Sequence, residues 1–267
     1  MKAYISYFKL KFISGLQYRS SAIAGMCTQF FFGIIYIMVF VAFYESGSKT
    51  QVMALNEVIT YLWLNQAFFG IVNQRYRDTD IINLIKTGNL SYELARPKDI
   101  YFMWYFKILG ERLAATFLRS IPLLLVVIFL PKPYNLGAPS SIMSFLLFII
   151  SFTIGALLVA GLNTLIPLIT IRTMSEKGVV SIYITISEIL SGTIVPIPFF
   201  PKFLAAISAL LPFQYVSDLP FRLYVGNIPL SYGIEGILIQ AGWLVIILGI
   251  GKLLLNISLK KVVVQGG

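Results

Sequence analysis

Long apolar runs alternate with short charged segments along the whole chain. Six apolar runs cover residues 22–43, 58–73, 113–130, 142–171, 178–195 and 234–255. A helix needs about 20 apolar residues to cross the hydrocarbon core of a bilayer, and most of these runs approach or exceed that length. The pattern therefore predicts an all-α integral membrane protein with six transmembrane helices in a single transmembrane domain over residues 1–267.

The composition supports a membrane protein and removes several classes of chemistry. The chain is 58% hydrophobic and only 12% charged, whereas soluble domains are about a quarter charged. Histidine is absent and Cys27 is the single cysteine, so the commonest general base, the commonest metal ligand and an internal disulfide are all missing. No GxxxxGK[ST], HExxH or GxSxG motif is present, so we expect neither Walker-type ATP hydrolysis nor a catalytic or metal site.

The positive charge is distributed unevenly between the two ends of the predicted helices. Of the 21 lysines and arginines, sixteen fall on the side that holds both termini and four on the opposite side, while Arg119 lies inside a run. Short loops rich in Lys and Arg remain in the cytoplasm. We therefore predict cytoplasmic termini, and we ascribe the net charge of +10 to topology and anionic lipid rather than to nucleic acid.

Two polar segments on the predicted cytoplasmic side carry helical patterns. Residues 1–21 place lysines among aromatic and aliphatic residues, as in a helix lying at the membrane interface. Residues 74–112 form the most charged region and contain two short apolar patterns that end at Gly88 and Pro97. The pattern residues are Ile81, Ile82, Leu84 and Ile85 in the first, and Leu90, Leu94 and Arg96 in the second. We expect two short helices on the membrane surface.

A few polar side chains interrupt the apolar runs. Asn65 and Gln66 lie near the middle of the second run, where they either hydrogen-bond a neighbouring helix or line a substrate path. Arg119 and Glu188 are the ionisable residues well inside the runs, and they lie at similar depths. We predict that these two side chains pair or face one wet cavity; the alternative is that each has a separate partner.

The stretch 191–227 is apolar but contains five prolines: Pro196, Pro198, Pro201, Pro212 and Pro220. Because each proline ends or kinks a helix, the stretch cannot be one straight membrane helix. Broken backbone is tolerated at membrane depth only where protein or water satisfies it. We predict a re-entrant outer hairpin over residues 196–227 with a short helix near 203–211; an ordinary external loop is the alternative.

Two segments resemble the permease subunits of type 2 ABC exporters, in particular a compact six-span bacterial group. IINLIKTGNLSYELARPKD, residues 81–99, is similar to the loop of that group with the pattern I…G…L.RP. SGTIVPIPFFP and LLPFQYVSDLPFRLYVGN are similar to the stretch before the last helix in the same group. The chain lacks the large extracellular domain of some drug and polysaccharide exporters, so the resemblance leaves the substrate class open.

The resemblance implies a dimeric permease, homodimeric or paired with a paralogue, in the bacterial plasma membrane. Two copies of a separate cytoplasmic ATPase would bind ATP and Mg, with no cofactor on this chain. The ATPase would dock on residues 81–96, and the cargo path would be lined by Asn65, Gln66, Glu188 and Ser191. The outer gate would comprise Pro196, Pro198, Phe199, Phe200 and Pro201. The apolar runs suggest a hydrophobic or amphipathic cargo. The alternatives are a self-sufficient channel or secondary carrier, and a non-transporting membrane anchor subunit.

Overall fold

A computed structural model describes residues 1–47, 52–95, 97–173 and 177–260; Arg96 lies outside the described residues. The described residues form α-helices and two short 3₁₀ helices, with no strand among them. The α-helices are α1 (Lys2–Gly15), α2 (Arg19–Glu45), α3 (Leu55–Ala67), α4 (Phe69–Val72), α5 (Thr79–Lys86), α6 (Leu90–Leu94), α7 (Ile100–Ile128), α8 (Ile142–Thr173), α9 (Lys177–Leu190), α10 (Lys202–Ala209), α11 (Asp218–Val225) and α12 (Leu230–Leu259). The 3₁₀ helices are Ile197–Phe199 and Pro212–Tyr215.

Three of the described helices, α2, α8 and α12, are long and apolar enough to cross a bilayer on their own. The other predicted spans have different forms. The second is divided into α3 and α4 by a break at Phe68, and α9 has only 14 residues. Helices this short cannot reach across the hydrocarbon core unaided.

Helix α7 begins at Ile100, well before the predicted start of the third span at residue 113. The sequence interpretation placed Lys107, Glu111 and Arg112 in a loop because they are charged. In the structure these three side chains are paired or hydrogen-bonded inside the protein, so the helix continues through them. The charged region 74–112 is therefore partly helix α7 rather than a connection alone.

Helix α9 ends at Leu190, earlier than the predicted end of the fifth span at residue 195. The reason is Gly192, whose φ of +78° is a left-handed conformation that ends a helix and that other residues rarely adopt. The chain then forms the 3₁₀ turn Ile197–Phe199 and the short helix α10. The proline-rich stretch is thus a series of short pieces, as its sequence predicts.

Helix α8 packs along α12 and also contacts α7 and α11. Its small polar residue Ser151 is fully buried, and the Ser151 carbonyl accepts a hydrogen bond of 2.8 Å from the Gln240 side chain of α12. The same amide nitrogen donates to the Tyr215 carbonyl at 2.6 Å. One glutamine therefore joins α8, α12 and the start of the segment that leads to α11.

Helix α1 lies against the first half of α7. The Tyr4 ring stacks on Phe106, and the Tyr4 hydroxyl accepts a hydrogen bond from the Asp99 backbone N–H at 3.1 Å. The outer face of α1 leaves Ile5, Leu10 and Ile13 exposed beside lysines. Such a mixed face suits the boundary between headgroups and acyl chains.

Candidate functional site

The two short helices of the charged region are fixed by burial of their apolar side. Asp78 directly precedes α5, and its carboxylate caps the helix by accepting a hydrogen bond from the Ile81 N–H at 3.0 Å. Four of the residues predicted to dock an ATPase are buried: Ile81, Ile85 and Leu90 in a core with α7 and α8, and Ile82 outside that core. Leu84 and Leu94 are half-buried.

In the chain as described, this burial leaves Leu84 and Leu94 as the partly exposed apolar residues of the predicted docking surface, which stays a prediction. Apolar residues already packed inside the chain cannot also form the contact with a partner. The opposite side of the two helices is exposed and includes Asn83, Lys86, Asn89 and Tyr92, of which the Tyr92 side chain is the most prominent at 73% exposure. A partner that approaches this end of the bundle would meet these polar and aromatic side chains first.

A group of paired charges, which we call the charge cluster, holds α5 to α7. It consists of Lys11, Tyr76, Asp78, Asp80, Lys107 and Glu111. The Lys107 ammonium lies 2.5 Å from Asp78 Oδ2 and 3.0 Å from Asp80 Oδ2. The Asp78 and Lys107 side chains are 3% and 5% exposed. A buried charge is stable only when it is paired, so this contact fixes where α5 begins relative to α7.

Tyr76, Glu111 and Lys11 extend the charge cluster to helix α1. The Tyr76 hydroxyl donates to Glu111 at 2.6 Å, and Lys11 of α1 lies 3.5 Å from the same carboxylate. Hydrogen bonding and the positive charge of Lys107 lower the pKa of Asp80 below its usual value, so this carboxyl is ionised at neutral pH. The cluster therefore joins α1, α5 and α7 through charged groups.

Arg112 is a buried cation that sequence reasoning assigned to the loop. Its guanidinium donates to the backbone carbonyls of Ile71 and Asn73 at the end of α4, and it lies over the Tyr76 ring at 5.2 Å. A cation near the carboxyl end of a helix satisfies carbonyls that have no partner within the helix. Arg112 thus attaches the end of α4 to α7, next to Glu111 of the charge cluster.

The predicted pair of Arg119 and Glu188 is wrong. Glu188 instead forms a two-pronged ion pair with Arg75, with nitrogen–oxygen distances of 2.5 and 2.9 Å. Arg75 precedes α5, so the pair connects α9 to the segment that leads into the short helices. Arg119 instead lines a cavity beside α1 and the start of α2, and Glu188 does not line that cavity.

The other predicted path residues meet at the end of α9. The buried Asn65 amide donates to the Thr193 carbonyl at 2.7 Å, and the Ser191 hydroxyl lies 2.5 Å from the Thr193 hydroxyl. Gln66 is also buried, one residue further along α3. Asn65 and Ser191 are therefore brought together, whereas Glu188 points to Arg75.

A second polar group, which we call the hairpin anchor, fixes the proline-rich stretch. Its centre is Asp218, which is 1% exposed. One oxygen of this carboxylate lies 3.0 Å from the Tyr61 hydroxyl and accepts from the Ile197 N–H at 3.2 Å, while Arg222 lies 3.5 Å from the other. The Tyr61 hydroxyl is also 3.0 Å from the Gly192 carbonyl. The anchor therefore holds α3, the end of α9 and α11 together.

The predicted gate residues, 196–201, come shortly after Gly192 in the chain and include none of the side chains of the hairpin anchor. Pro196 is buried, and Phe199 packs against Phe40 of α2 with ring centroids 5.3 Å apart. Pro198 and Phe200 are partly buried, and Pro201 is exposed at the start of α10. Sequence reasoning identified these residues by their prolines but missed Tyr61 and Asp218, because neither residue type is unusual in its own segment.

These features define an all-helical membrane protein with short, firmly held helices at one end and a proline-broken segment at the other. No cluster of potential metal ligands occurs among the described residues. A model of the ABC-2 family transporter proteins matches residues 30–266, and the chain belongs to this family. It is the membrane subunit of an ABC transporter, a permease of a kind that typically has no catalytic site of its own. No individual curated protein matches the chain.

Proposed function

We propose that this chain is the permease of an ATP-driven exporter that moves a hydrophobic or amphipathic substrate out of the cytoplasm or the inner leaflet. One observation carries the proposal: in a chain of the ABC-2 transporter family, the short helix α5 is attached to the long helix α7 by a buried ion pair. A separate ATPase would supply the energy, because the sequence contains no Walker-type loop. Two ATPase copies, binding ATP and Mg, would serve one permease dimer.

The proposed topology has six membrane crossings with both termini in the cytoplasm, in a bacterial plasma membrane. The distribution of lysine and arginine supports this orientation. In this arrangement α3 with α4, and α9 with the hairpin, would cross or re-enter the bilayer as broken elements. Their polar backbone would be satisfied by Asn65, Ser217 and the hairpin anchor.

The exposed apolar faces support a dimer. On α9, Ile182, Ile186 and Ile189 are 43–64% exposed and lie on one side of the helix. Helix α2 also has a largely exposed apolar surface. A second permease, identical or paralogous, would cover these faces, and the path would run between the two copies. Glu188 would lie beside it, and Asn65, Gln66 and Ser191, which are buried in this conformation, would line it once the helices move apart. The segment Pro196–Pro201 would gate its outer end.

The ATPase would bind the exposed tip of α5 and α6 rather than their buried side. Tyr92 is the best candidate for the central contact, because aromatic side chains dominate the energetics of many interfaces. The charge cluster would then transmit movement of the tip to α7, since its buried ion pair resists separation.

Co-purification and reconstitution test this proposal. The chain would be expressed with candidate ATPases, and binding of each ATPase to the Tyr92→Asp variant would be compared with wild type. We expect binding to fall by about tenfold or more, as for loss of a central aromatic contact. Tyr232→Asp is the matched control, because Tyr232 is similarly exposed but lies at the start of α12.

Two results would contradict the proposal. One is equal ATPase binding by wild type and Tyr92→Asp, which would exclude the tip as the docking surface. The other is substrate transport by the chain alone in liposomes without any ATPase, which would identify a self-sufficient channel or carrier.

A further inference from the structure

A polar cavity of about 370 Å³ lies between α1, the start of α2, α5 and α7. Its polar lining includes Lys11, Ser14, Tyr18, Asp80, Glu111 and Arg119. The cavity is at the same end of the bundle as the charge cluster. Neither the cargo path nor the docking tip proposed above uses it.

Arg119 lines this cavity near the end where α2 begins. Among the described residues its guanidinium makes no hydrogen bond or ion pair. It rests against Gly25 of α2, where a Cβ atom would approach the guanidinium carbon to 2.8 Å. A partly buried cation between two helices needs an anion or water to complete its hydrogen bonds.

The other end of the cavity has the opposite charge. Asp80 and Glu111 belong to the charge cluster, which has the three carboxylates Asp78, Asp80 and Glu111 but only the two ammonium groups Lys11 and Lys107. Within the cluster the carboxylates thus outnumber the ammonium groups by one; the Arg112 guanidinium, which lies over the Tyr76 ring, is outside this count. The Asp80 side chain is 72% exposed, so it can accept another cation.

The charged and apolar residues follow one another in a fixed order along the axis of α7. Arg119 is eight residues beyond Glu111 along α7, roughly 12 Å deeper into the bundle at 1.5 Å per residue. Beyond Arg119, the exposed residues of α7 are apolar: Ile121, Leu125 and Val126 are 46–58% exposed. Going inward from the end of the bundle, the order is thus negative charge, positive charge and then apolar surface.

We propose that this cavity binds the headgroup of a phospholipid with a protonated primary amine, such as phosphatidylethanolamine. Arg119 would bind the phosphate, Asp80 and Glu111 would accept hydrogen bonds from the ammonium, and the acyl chains would lie along α7. In such a lipid the phosphate is nearer the acyl chains than the amine, which is the order of charges found here. Arginine binds phosphate in a two-pronged geometry, and ion-assisted hydrogen bonds are the stronger kind.

The proposal distinguishes between common lipids. Phosphatidylglycerol has the phosphate but no cation for Asp80 and Glu111, so it would place uncompensated negative charge beside them. Phosphatidylcholine has a positive charge but no N–H group to donate to a carboxylate. Phosphatidylethanolamine satisfies both ends of the cavity. The site is independent of ATPase binding and of the transported substrate.

Native mass spectrometry of the purified chain provides the test. The protein would be presented with an equimolar mixture of these three lipids with identical acyl chains, and the bound fraction of each would be measured. We expect phosphatidylethanolamine to dominate. Arg119→Gln should weaken its binding about tenfold, as for loss of one charge-assisted contact, and Arg119→Lys should retain part of it. Asp80→Asn should reduce the ratio of bound phosphatidylethanolamine to bound phosphatidylglycerol.

The matched control is Arg172→Gln, because Arg172 is exposed at the same end of the bundle but outside the cavity. It should bind lipid as wild type does. Equal binding of phosphatidylglycerol and phosphatidylethanolamine, or unchanged binding by a correctly folded Arg119→Gln protein, would overturn the proposal. Displacement of the lipid by millimolar inorganic phosphate would also overturn it, since the cavity would then be a site for soluble anions.

Discussion

The charge cluster and the hairpin anchor both contain a buried aspartate, but they satisfy it in different ways. Asp78 lies against the Lys107 ammonium at 2.5 Å, whereas Asp218 is held by the Tyr61 hydroxyl, the Ile197 N–H and a longer contact of 3.5 Å to Arg222. An ion pair between buried groups loses much of its value if either partner moves away. Hydrogen bonds to neutral donors can be exchanged at lower cost.

This difference fits the two roles proposed for these regions. The charge cluster would carry force from an ATPase tip to α7, and a contact that resists separation serves that purpose. The hairpin anchor would hold a gate that has to open, and a carboxylate bound mainly by neutral donors allows it to rearrange. The comparison yields three predictions, in order of decreasing effect.

Replacement of Lys107 by alanine should have the largest effect. The change leaves Asp78 buried without its cation, which costs about 3–5 kcal/mol. For a chain of this size the apparent Tm in detergent should fall by about 10 °C. The double variant Lys107→Met with Asp78→Asn should recover part of the loss, because the charge that is then left without its cation, on Asp80, is exposed rather than buried. If the single variant unfolds at the wild-type temperature, the cluster does not fix α5.

Replacement of Asp218 by alanine should have an intermediate effect. It leaves the Tyr61 hydroxyl without its carboxylate and the Ile197 N–H without its acceptor, at a cost of about 1–3 kcal/mol. Asp218→Asn keeps an acceptor oxygen and should cost less. Tm measurements would compare the two variants with Lys107→Ala. If Asp218→Asn lowered the Tm more than Lys107→Ala does, the hairpin anchor would be the more firmly held region of the two.

Acid should have the smallest effect of the three on the charge cluster, where it acts through Asp80. Because the pKa of Asp80 is lowered in the folded state, its stabilising contribution is fully present above the usual value of 3.8 and is lost as the pH falls through the lower, folded-state pKa. Asp80→Asn should therefore show a slightly smaller fall in Tm than wild type below about pH 4. Identical acid profiles would show that Lys107 does not hold the Asp80 carboxylate.

The sequence alone predicts the class of protein and the places where helices break. Apolar runs near the length of a bilayer crossing can hardly belong to anything but a membrane protein, and the family match agrees. The break at the end of α9 and the short helix α10 follow from Gly192 and the prolines. These features depend on neighbouring residues, which is why a linear pattern reveals them.

The assignment of partners could not be predicted in this way. Glu188 pairs with Arg75, which is 113 residues away, and not with Arg119 at a similar depth. The sequence gives depth along a helix but not the direction in which a side chain faces around it. The same limitation placed Lys107 and Arg112 in a loop, although buried partners keep them within helix α7.

The sequence by itself therefore determined that the protein is an α-helical membrane permease, which segment is rich in charge and that its proline-rich stretch is broken. Only the tertiary structure decided which side of α5 is buried, which carboxylates share Lys107, and that Asp218 fixes the proline-rich stretch. The physical reason is that apolar length and backbone geometry are local properties. Burial and ion pairing depend on how separate helices meet.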